Sequence, residues 1–253
     1  MRDLDIEKLS INIQKWISEY LKNANAQKLV LGLSGGIDSA VTAALCARAL
    51  GEKKIYGLIM PCQSLSSDIK DAMMIAEDLC INYEIIDLNP VYKLFLKTVA
   101  LKSDSNKIAE SNLKPRLRMV TLYYFSQSIG NCFVVGTGNR AEIALGYFTK
   151  YGDGGVDFEP LGNLYKSEVR ALAKVVRIPA KIIKKPPSAG LWPGQTDEGE
   201  IGLSYDIIDE ILYRIDNGLD FDGLKAKNVE KVRKLMRKAE HKLKMPPAYE
   251  VSQ

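Results

Sequence analysis

A short apolar run that ends in a glycine turn and opens straight into a helix constrains this chain more than any other feature. Lys28-Leu29-Val30-Leu31-Gly32-Leu33 reads as a buried strand, and Asp38 to Leu50 reads as a helix stopped by Gly51. Between them lies Ser34-Gly35-Gly36-Ile37-Asp38-Ser39. Glycines there permit positive φ and let backbone N–H groups approach an anion, and the helix start adds its dipole. Ser34 and Ser39 supply hydroxyl donors for phosphate oxygens. No Gly-Lys-Ser/Thr follows, so this is not a Walker A loop. Asp38 is the informative residue. A carboxylate inside an anion site repels phosphate unless a cation stands between them, and magnesium accepts one or two carboxylates together with substrate phosphates. The plainer role for Asp38 is a helix cap.

The rest of the chain repeats the alternation. Ile13, Trp16, Ile17, Tyr20 and Leu21 recur at helical spacing and predict an amphipathic first helix. Further strands are expected at Ile55 to Met60, Glu84 to Leu88 and Asn131 to Gly136. Helices are expected after Ser66 or Ser67 as cap, after Pro90, and from Pro115 to Ser128, with a polar, mobile stretch at 103–112. Strands alternating with helices predict an α/β fold: a Rossmann-like, doubly wound parallel sheet with helices on both faces, whose ligands collect at the carboxyl ends of the strands. Glu200 to Asn217 and Lys227 to Leu243 read as helices, so residues 1–253 are expected to form one domain, with 200–253 as a helical C-terminal extension.

Composition excludes several classes. Of 253 residues 46% are hydrophobic and 26% charged, which supports a sizeable core and argues against disorder. No apolar run approaches the roughly 18 residues of a membrane span. The start Met1-Arg2-Asp3-Leu4-Asp5 lacks the apolar core of a secretory signal, so a cytoplasmic protein is expected. Cys46, Cys62, Cys80 and Cys132 show no CxxC spacing and read as thiols, with Cys46, Cys80 and Cys132 as small core residues. The net charge of +4 suits small anions without demanding nucleic acid. Its excess is gathered between Lys225 and Lys244, ordinarily a solvated helix face.

The six-residue loop resembles the pyrophosphate loop of the N-type ATP pyrophosphatases. A longer series narrows the resemblance: Val134-Val135-Gly136-Thr137-Gly138-Asn139, then Glu142, then Gly146 to Asp157 with three glycines and two aspartates within Thr149 to Asp157, then Leu164-Tyr165-Lys166 and Pro187-Ser188-Ala189-Gly190-Leu191. From Gly32 to about Pro247 the chain resembles the ammonia-dependent NAD synthetases. That resemblance implies amidation of deamido-NAD by ammonia through an adenylated intermediate, with ATP split to AMP and pyrophosphate. It implies ATP contacts at Gly32, Leu33, Ser34, Gly35, Gly36, Ile37, Asp38, Ser39, Thr137, Lys166 and Ser188. It implies magnesium on Asp38 and Glu142, and deamido-NAD contacts at Arg116, Lys150, Asp157, His241 and Lys242, with Arg118 competing for the place of Arg116. Asp153 falls near the ammonia site, and Asp38, Asp153 and Lys166 are the catalytic candidates. It also implies a homodimer, for which the first helix and the helix near Leu117 to Phe125 are candidate surfaces.

Each of these residues also has an ordinary role. Lys166 at a helix start is commonly a surface lysine, Glu142 commonly favours a helix N-terminus, and a lone histidine in a basic helix is commonly solvated. Only 33 residues precede the loop, so free ammonia, rather than glutamine hydrolysed on the same chain, is the expected nitrogen source. A tRNA-modifying relative calls for a broader basic surface, and a non-catalytic ATP sensor has no need of the Asp38 and Glu142 pair. The loop from Ala189 to Glu198 is expected to act as a lid that orders on substrate.

Overall fold

The computed structural model describes residues 2–99, 106–192 and 194–250. Helix α1 (Ile6–Asn23) opens at Asp5, whose side chain accepts from Lys8 N, and lays Ile13, Ile17 and Leu21 into the core. The strands are β1 (Lys28–Gly32), β2 (Ile55–Ile59), β3 (Asn82–Ile85) and β4 (Cys132–Val134), all parallel, in the order β3-β2-β1-β4. Leu29, Val30 and Leu31 are all fully buried, yet they face opposite ways. Leu29 and Leu31 join the core made with α1, α2 (Ile37–Leu50), α3 (Ser66–Asp78) and α7 (Lys166–Val175). Val30 joins Leu58, Val134 and Tyr92 under α4 (Asn89–Thr98) and α5 (Lys107–Ile129). A strand covered on both faces reads as a continuous apolar run, which is why β1 is legible without alternation. The doubly wound α/β reading holds.

The remaining helices are α6 (Arg140–Leu145), α8 (Ala180–Ile183), α9 (Asp197–Ile201), α10 (Tyr205–Asp216) and α11 (Ala226–Leu243). A further core joins Ala141, Ala144 and Leu145 of α6 to Ile208, Ile211 and Leu212 of α10 and to Val229 and Val232 of α11. This packing fixes the C-terminal helices against the turns that follow β4.

Several boundaries differ from the sequence reading. Helix α3 is capped by neither Ser66 nor Ser67, because both are inside its first turn and Leu65 holds the cap position. β3 lies at Asn82–Ile85, earlier than expected, because pairing with Tyr56–Ile59 of β2 sets its register. The polar stretch at 103–112 is partly helix: residues 103–105 lie outside the described residues, Asn106 caps α5 by accepting from Ile108 N and Ala109 N, and Pro115 is inside that helix. The expected helix from Glu200 to Asn217 is two helices, since Gly202 adopts φ 70° and ends α9, and Ser204 restarts the chain. Cys46, Cys62 and Cys132 are buried free thiols, but Cys80 is exposed, set at φ 52° in the turn after α3.

Candidate active site

The loops after β1 and β4 leave the carboxyl ends of neighbouring strands, at the point where the strand order reverses. In an open parallel sheet this crevice is where ligands bind. In the first loop Ser34 Oγ and Ser39 Oγ lie 3.0 Å apart, Gly36 N donates to Ser34 Oγ at 3.2 Å, and Ser39 Oγ donates to the Gly36 carbonyl at 3.1 Å. Gly36 caps α2 without a side-chain bond, so the first amides of that helix are left for a ligand. Leu33 and Ile37 are buried and pack inward, and Leu33 N donates to the Leu58 carbonyl at 2.9 Å, which ties the start of the loop to β2.

Asp38 does not cap its own helix. Its Oδ1 accepts from Asn139 Nδ2 at 3.1 Å, and its Oδ2 pairs with the Lys166 ammonium. The fully buried Asn139 opens α6 through a capping box, accepting from Glu142 N at 3.1 Å while Glu142 Oε2 accepts from Asn139 N at 3.2 Å. Asn139 therefore holds both carboxylates, Glu142 through the box that starts α6 and Asp38 through its Nδ2. Lys166 is no surface lysine, being 1% exposed. Asp209 of α10 accepts from the amides of Lys166 and Ser167 at 3.2 and 2.9 Å and so caps α7, which turns the Lys166 side chain inward. There the ammonium sits 3.6 Å from Glu142 Oε1 and 5.0 Å from the Tyr205 ring centroid. Burial alone lowers the pKa of Lys166, but Asp38 and Glu142 more than reverse that, and it stays charged. Burial, helped by Asp38 and opposed by Lys166, pushes Glu142 up to about 8.

A second group gathers at the turn after α6. Lys150 Nζ donates to the His241 carbonyl at 2.5 Å, Arg116 Nε to the Lys150 carbonyl at 3.4 Å, and Lys242 Nζ to the carbonyls of Gly146 and Phe148, both at 2.7 Å. Arg118 turns the other way, donating to the Met60 carbonyl at 3.2 Å and to Ser64 Oγ at 3.4 Å. Asp153 accepts from Thr149 N at 2.8 Å. Burial raises its carboxyl, while Arg118 and Lys242 pull it down from nearby. Asp157 stands apart: its carboxylate takes Val134 N at 2.7 Å and Tyr123 OH at 3.0 Å, covering the free edge of β4. Thr137 lies in the turn between β4 and α6, and exposed Ser188 accepts from Gly190 N at 3.1 Å.

The Ala189 to Glu198 loop, apart from Pro193, which lies outside the described residues, is pinned at several points. Lys114 Nζ donates to the Leu191 carbonyl at 2.5 Å, and Lys107 lies 4.7 Å from the Trp192 ring centroid. Asp197 Oδ1 accepts from Ala189 N at 3.0 Å.

A family model for NAD synthase matches residues 9–246. The chain belongs to the NAD synthase family. It is 45% identical to the NH(3)-dependent NAD(+) synthetase of Archaeoglobus fulgidus over 98% of both chains, and 46% identical to that of Carboxydothermus hydrogenoformans over 95% of this chain and 96% of the other. Among solved structures, NMN synthetase from Francisella tularensis superposes with a TM-score of 0.89 at 37% identity, covering 98% of this chain and all of that one. NH3-dependent NAD synthetase from Campylobacter jejuni, in complex with nitrate, gives 0.83 at 35% identity, again over 98% and 100%.

Four residues of this NAD synthase crevice escaped the sequence reading. Asn139, Asp209, Tyr205 and Asp197 act through contacts distant in sequence: Tyr205 OH donates to Asp197 Oδ2 at 3.0 Å and reaches Glu142 Oε1 at 3.4 Å. Only Asn139, three residues before Glu142, carried a local capping-box signal.

Glu159 also went unread. It lies under the Thr137 turn, accepting from Gly138 N at 2.8 Å, and burial pushes it from 4.5 to about 8. A carboxyl with a raised folded-state pKa keeps its proton where the unfolded chain has lost one. Stability is therefore expected to fall as pH rises from 4.5 to about 8. Glu142 adds to the slope in the same direction. Melting temperatures of magnesium-free protein across this range should fall less steeply in Glu159→Gln; equal slopes would overturn the assignment.

Proposed function

We propose that this chain is an ammonia-dependent NAD synthetase whose reaction takes place where the loops after β1 and β4 meet. One observation carries this: Lys166 and the carboxylates of Asp38 and Glu142 converge beside an uncapped glycine loop. A substrate carboxylate is the nucleophile, so the chain needs none of its own. The nicotinate carboxylate of deamido-NAD attacks the α phosphorus of ATP, and the bond to the β,γ-pyrophosphate breaks. The loop Ser34–Ser39, with Gly32 and Leu33 leading into it, holds the leaving pyrophosphate by amides and hydroxyls. Thr137, Lys166 and Ser188 hold the rest of ATP. Ammonia then attacks the carbonyl carbon of the adenylate, AMP leaves, and a proton is lost from nitrogen. Asp153 orients that ammonia or takes the proton. Its raised pKa suits a group that must accept one.

Asp38 and Glu142 form an all-oxygen donor pair that carries one net negative charge after Lys166 is counted once Glu142, raised to about 8, has lost its proton, which fits magnesium shared with phosphates. When bound, the ion neutralises developing phosphate charge. Arg116, Lys150, Asp157, His241 and Lys242 form the deamido-NAD contacts of this reading. Arg116 is favoured over Arg118 because it lies beside Lys150. For Asp157, binding requires it to keep or exchange its bond to β4.

The working form is a homodimer. In the stripe of α1, Ile13, Ile17 and Leu21 are in the chain's own core, which leaves Trp16, 43% exposed, as its part open to a partner. Helices α4 and α5 offer the broader apolar face, exposing Leu94, Phe95, Ile108, Val120 and Tyr124. Val120→Glu with Tyr124→Glu should halve the mass measured by light scattering; an unchanged dimer would exclude this face. Among the described residues no helix is long and apolar enough to cross a membrane, and the cysteines are free thiols. Cytoplasmic residence belongs to the same proposal.

The deciding assay supplies ATP, magnesium and deamido-NAD with ammonium or glutamine. NAD and AMP appearing with ammonium alone supports the reading. Because NMN synthetase from Francisella tularensis superposes so well, nicotinate mononucleotide is the necessary second acceptor. Its preference over deamido-NAD would move the assignment to an NMN synthetase.

A further inference from the structure

The phosphate loop is held from behind by a cluster that ATP itself does not touch in the reading above. Lys185 follows α8 and immediately precedes Pro186-Pro187-Ser188. Its ammonium meets three oxygens: Asp68 Oδ1 at 2.7 Å, Asp71 Oδ2 at 2.8 Å and the Gly35 carbonyl at 3.2 Å. An ammonium has three N–H donors, so this geometry uses all of them. Asp71, on the inner face of α3 with its side chain 3% exposed, is shared with Lys181 at 2.6 Å. Gly35 is equally constrained on its other side. It adopts φ 75°, and a Cβ there would stand 2.4 Å from the Asp68 carbonyl oxygen. The turn that presents the loop amides is therefore clamped between the first turn of α3 and Lys185.

We propose that Lys185 is a positioning residue that fixes the Gly35 turn and ties the phosphate loop to the root of the 186–196 loop; this rests on the reading that Ser34–Ser39 holds phosphates. Two prolines after Lys185 restrict φ, so its place is passed on stiffly to Ser188. Asp197 N closes the far end of the same loop on the Pro187 carbonyl at 3.0 Å. The charge count argues against direct attraction of phosphate. Lys181 and Lys185 together carry two positive charges, and Asp68 and Asp71 carry two negative ones. The cluster is neutral and offers a distant anion little. Its contribution is therefore to geometry, and misplacing groups by about 1 Å can cost about a hundredfold.

If Lys185 worked by charge, removing a neutralising carboxylate would tighten ATP binding. If it works by position, removing either partner loosens it. Lys185→Met and Asp68→Asn in the full chain should each raise the KM for ATP and the inhibition constant of inorganic pyrophosphate by about tenfold, the worth of one charged hydrogen bond. The KM for deamido-NAD should stay unchanged, which a general loss of packing would not allow. Tighter ATP in Asp68→Asn, or wild-type ATP and pyrophosphate constants in a folded Lys185→Met, overturns the proposal. Ser39→Ala serves as the loop's own control. If it changes neither constant, the phosphate reading fails and takes this inference with it; if it weakens both while Lys185→Met weakens neither, only the role of Lys185 fails. Should Lys185→Met not fold, Asp68→Asn, at a side chain 22% exposed, carries the test.

Discussion

Asp38→Asn is expected to abolish pyrophosphate release while leaving a folded protein. The substitution keeps the shape of the side chain and can still accept from Asn139 Nδ2. What it removes is one of the two negative charges around Lys166. Once Glu142, raised to about 8, gives up its proton to the bound ion, the group of Asp38, Glu142 and Lys166 carries one net negative charge; with asparagine it is neutral, and a divalent ion loses its anionic ligand beside the phosphates. Loss of one preorganised electrostatic element in a crevice of this kind costs about 10²–10³ in rate, and loss of an ion's anchor costs at least that. Stability should suffer less, by about 1–3 kcal/mol, because Glu142 at 3.6 Å still partners the buried ammonium. Pyrophosphate release is read directly from ATP, magnesium, ammonium and deamido-NAD, and folding from the melting transition. A folded variant with normal turnover would falsify the magnesium assignment.

Lys166→Met is expected to damage both stability and activity, and the stability loss is the more telling. The side chain is 1% exposed, and its removal leaves Asp38 and Glu142 facing each other with no cation. Stranding buried charge in this way costs about 3–5 kcal/mol. For a chain of this length each kcal/mol shifts the melting temperature by about 2–4 °C, so a fall on the order of 10 °C is expected. The loss should be smaller below pH 8 than above it. Glu142 already sits at about 8 in the intact protein and takes up a proton more readily once the ammonium is gone. Magnesium should then raise the melting temperature more in the variant than in the parent, since the ion supplies the missing positive charge and any ligand of the folded state stabilises it. An equal or smaller magnesium shift would mean that the two carboxylates do not form the ion's site. Lys166→Arg should not rescue activity: a guanidinium is wider than an ammonium, and the Tyr205 ring at 5.0 Å limits the room.

Most of the fold was legible because its signals are local. β1 is an apolar run with a glycine stop, and α2 begins at a glycine loop and ends at Gly51. Boundaries failed where the deciding partner lay elsewhere. β3 slid toward its pairing with β2, α5 is capped by an asparagine nine residues before the expected proline start, and a single glycine at 202 divided one expected helix into two.

The candidate site divides along the same line. The residue types of Asp38, Glu142 and Lys166, and the chemistry each can offer, are determined by the sequence alone. Their meeting is a tertiary fact. They are separated by 104 and 24 residues in the chain (142 − 38 and 166 − 142), and they converge because β1 and β4 are neighbours and because Asp209 caps α7 so that Lys166 turns inward. A sequence states what a side chain is; burial, charge state and partner depend on what the fold places within a few ångströms of it. That is why Lys166, ordinary as a letter at a helix start, becomes a buried cation between two carboxylates.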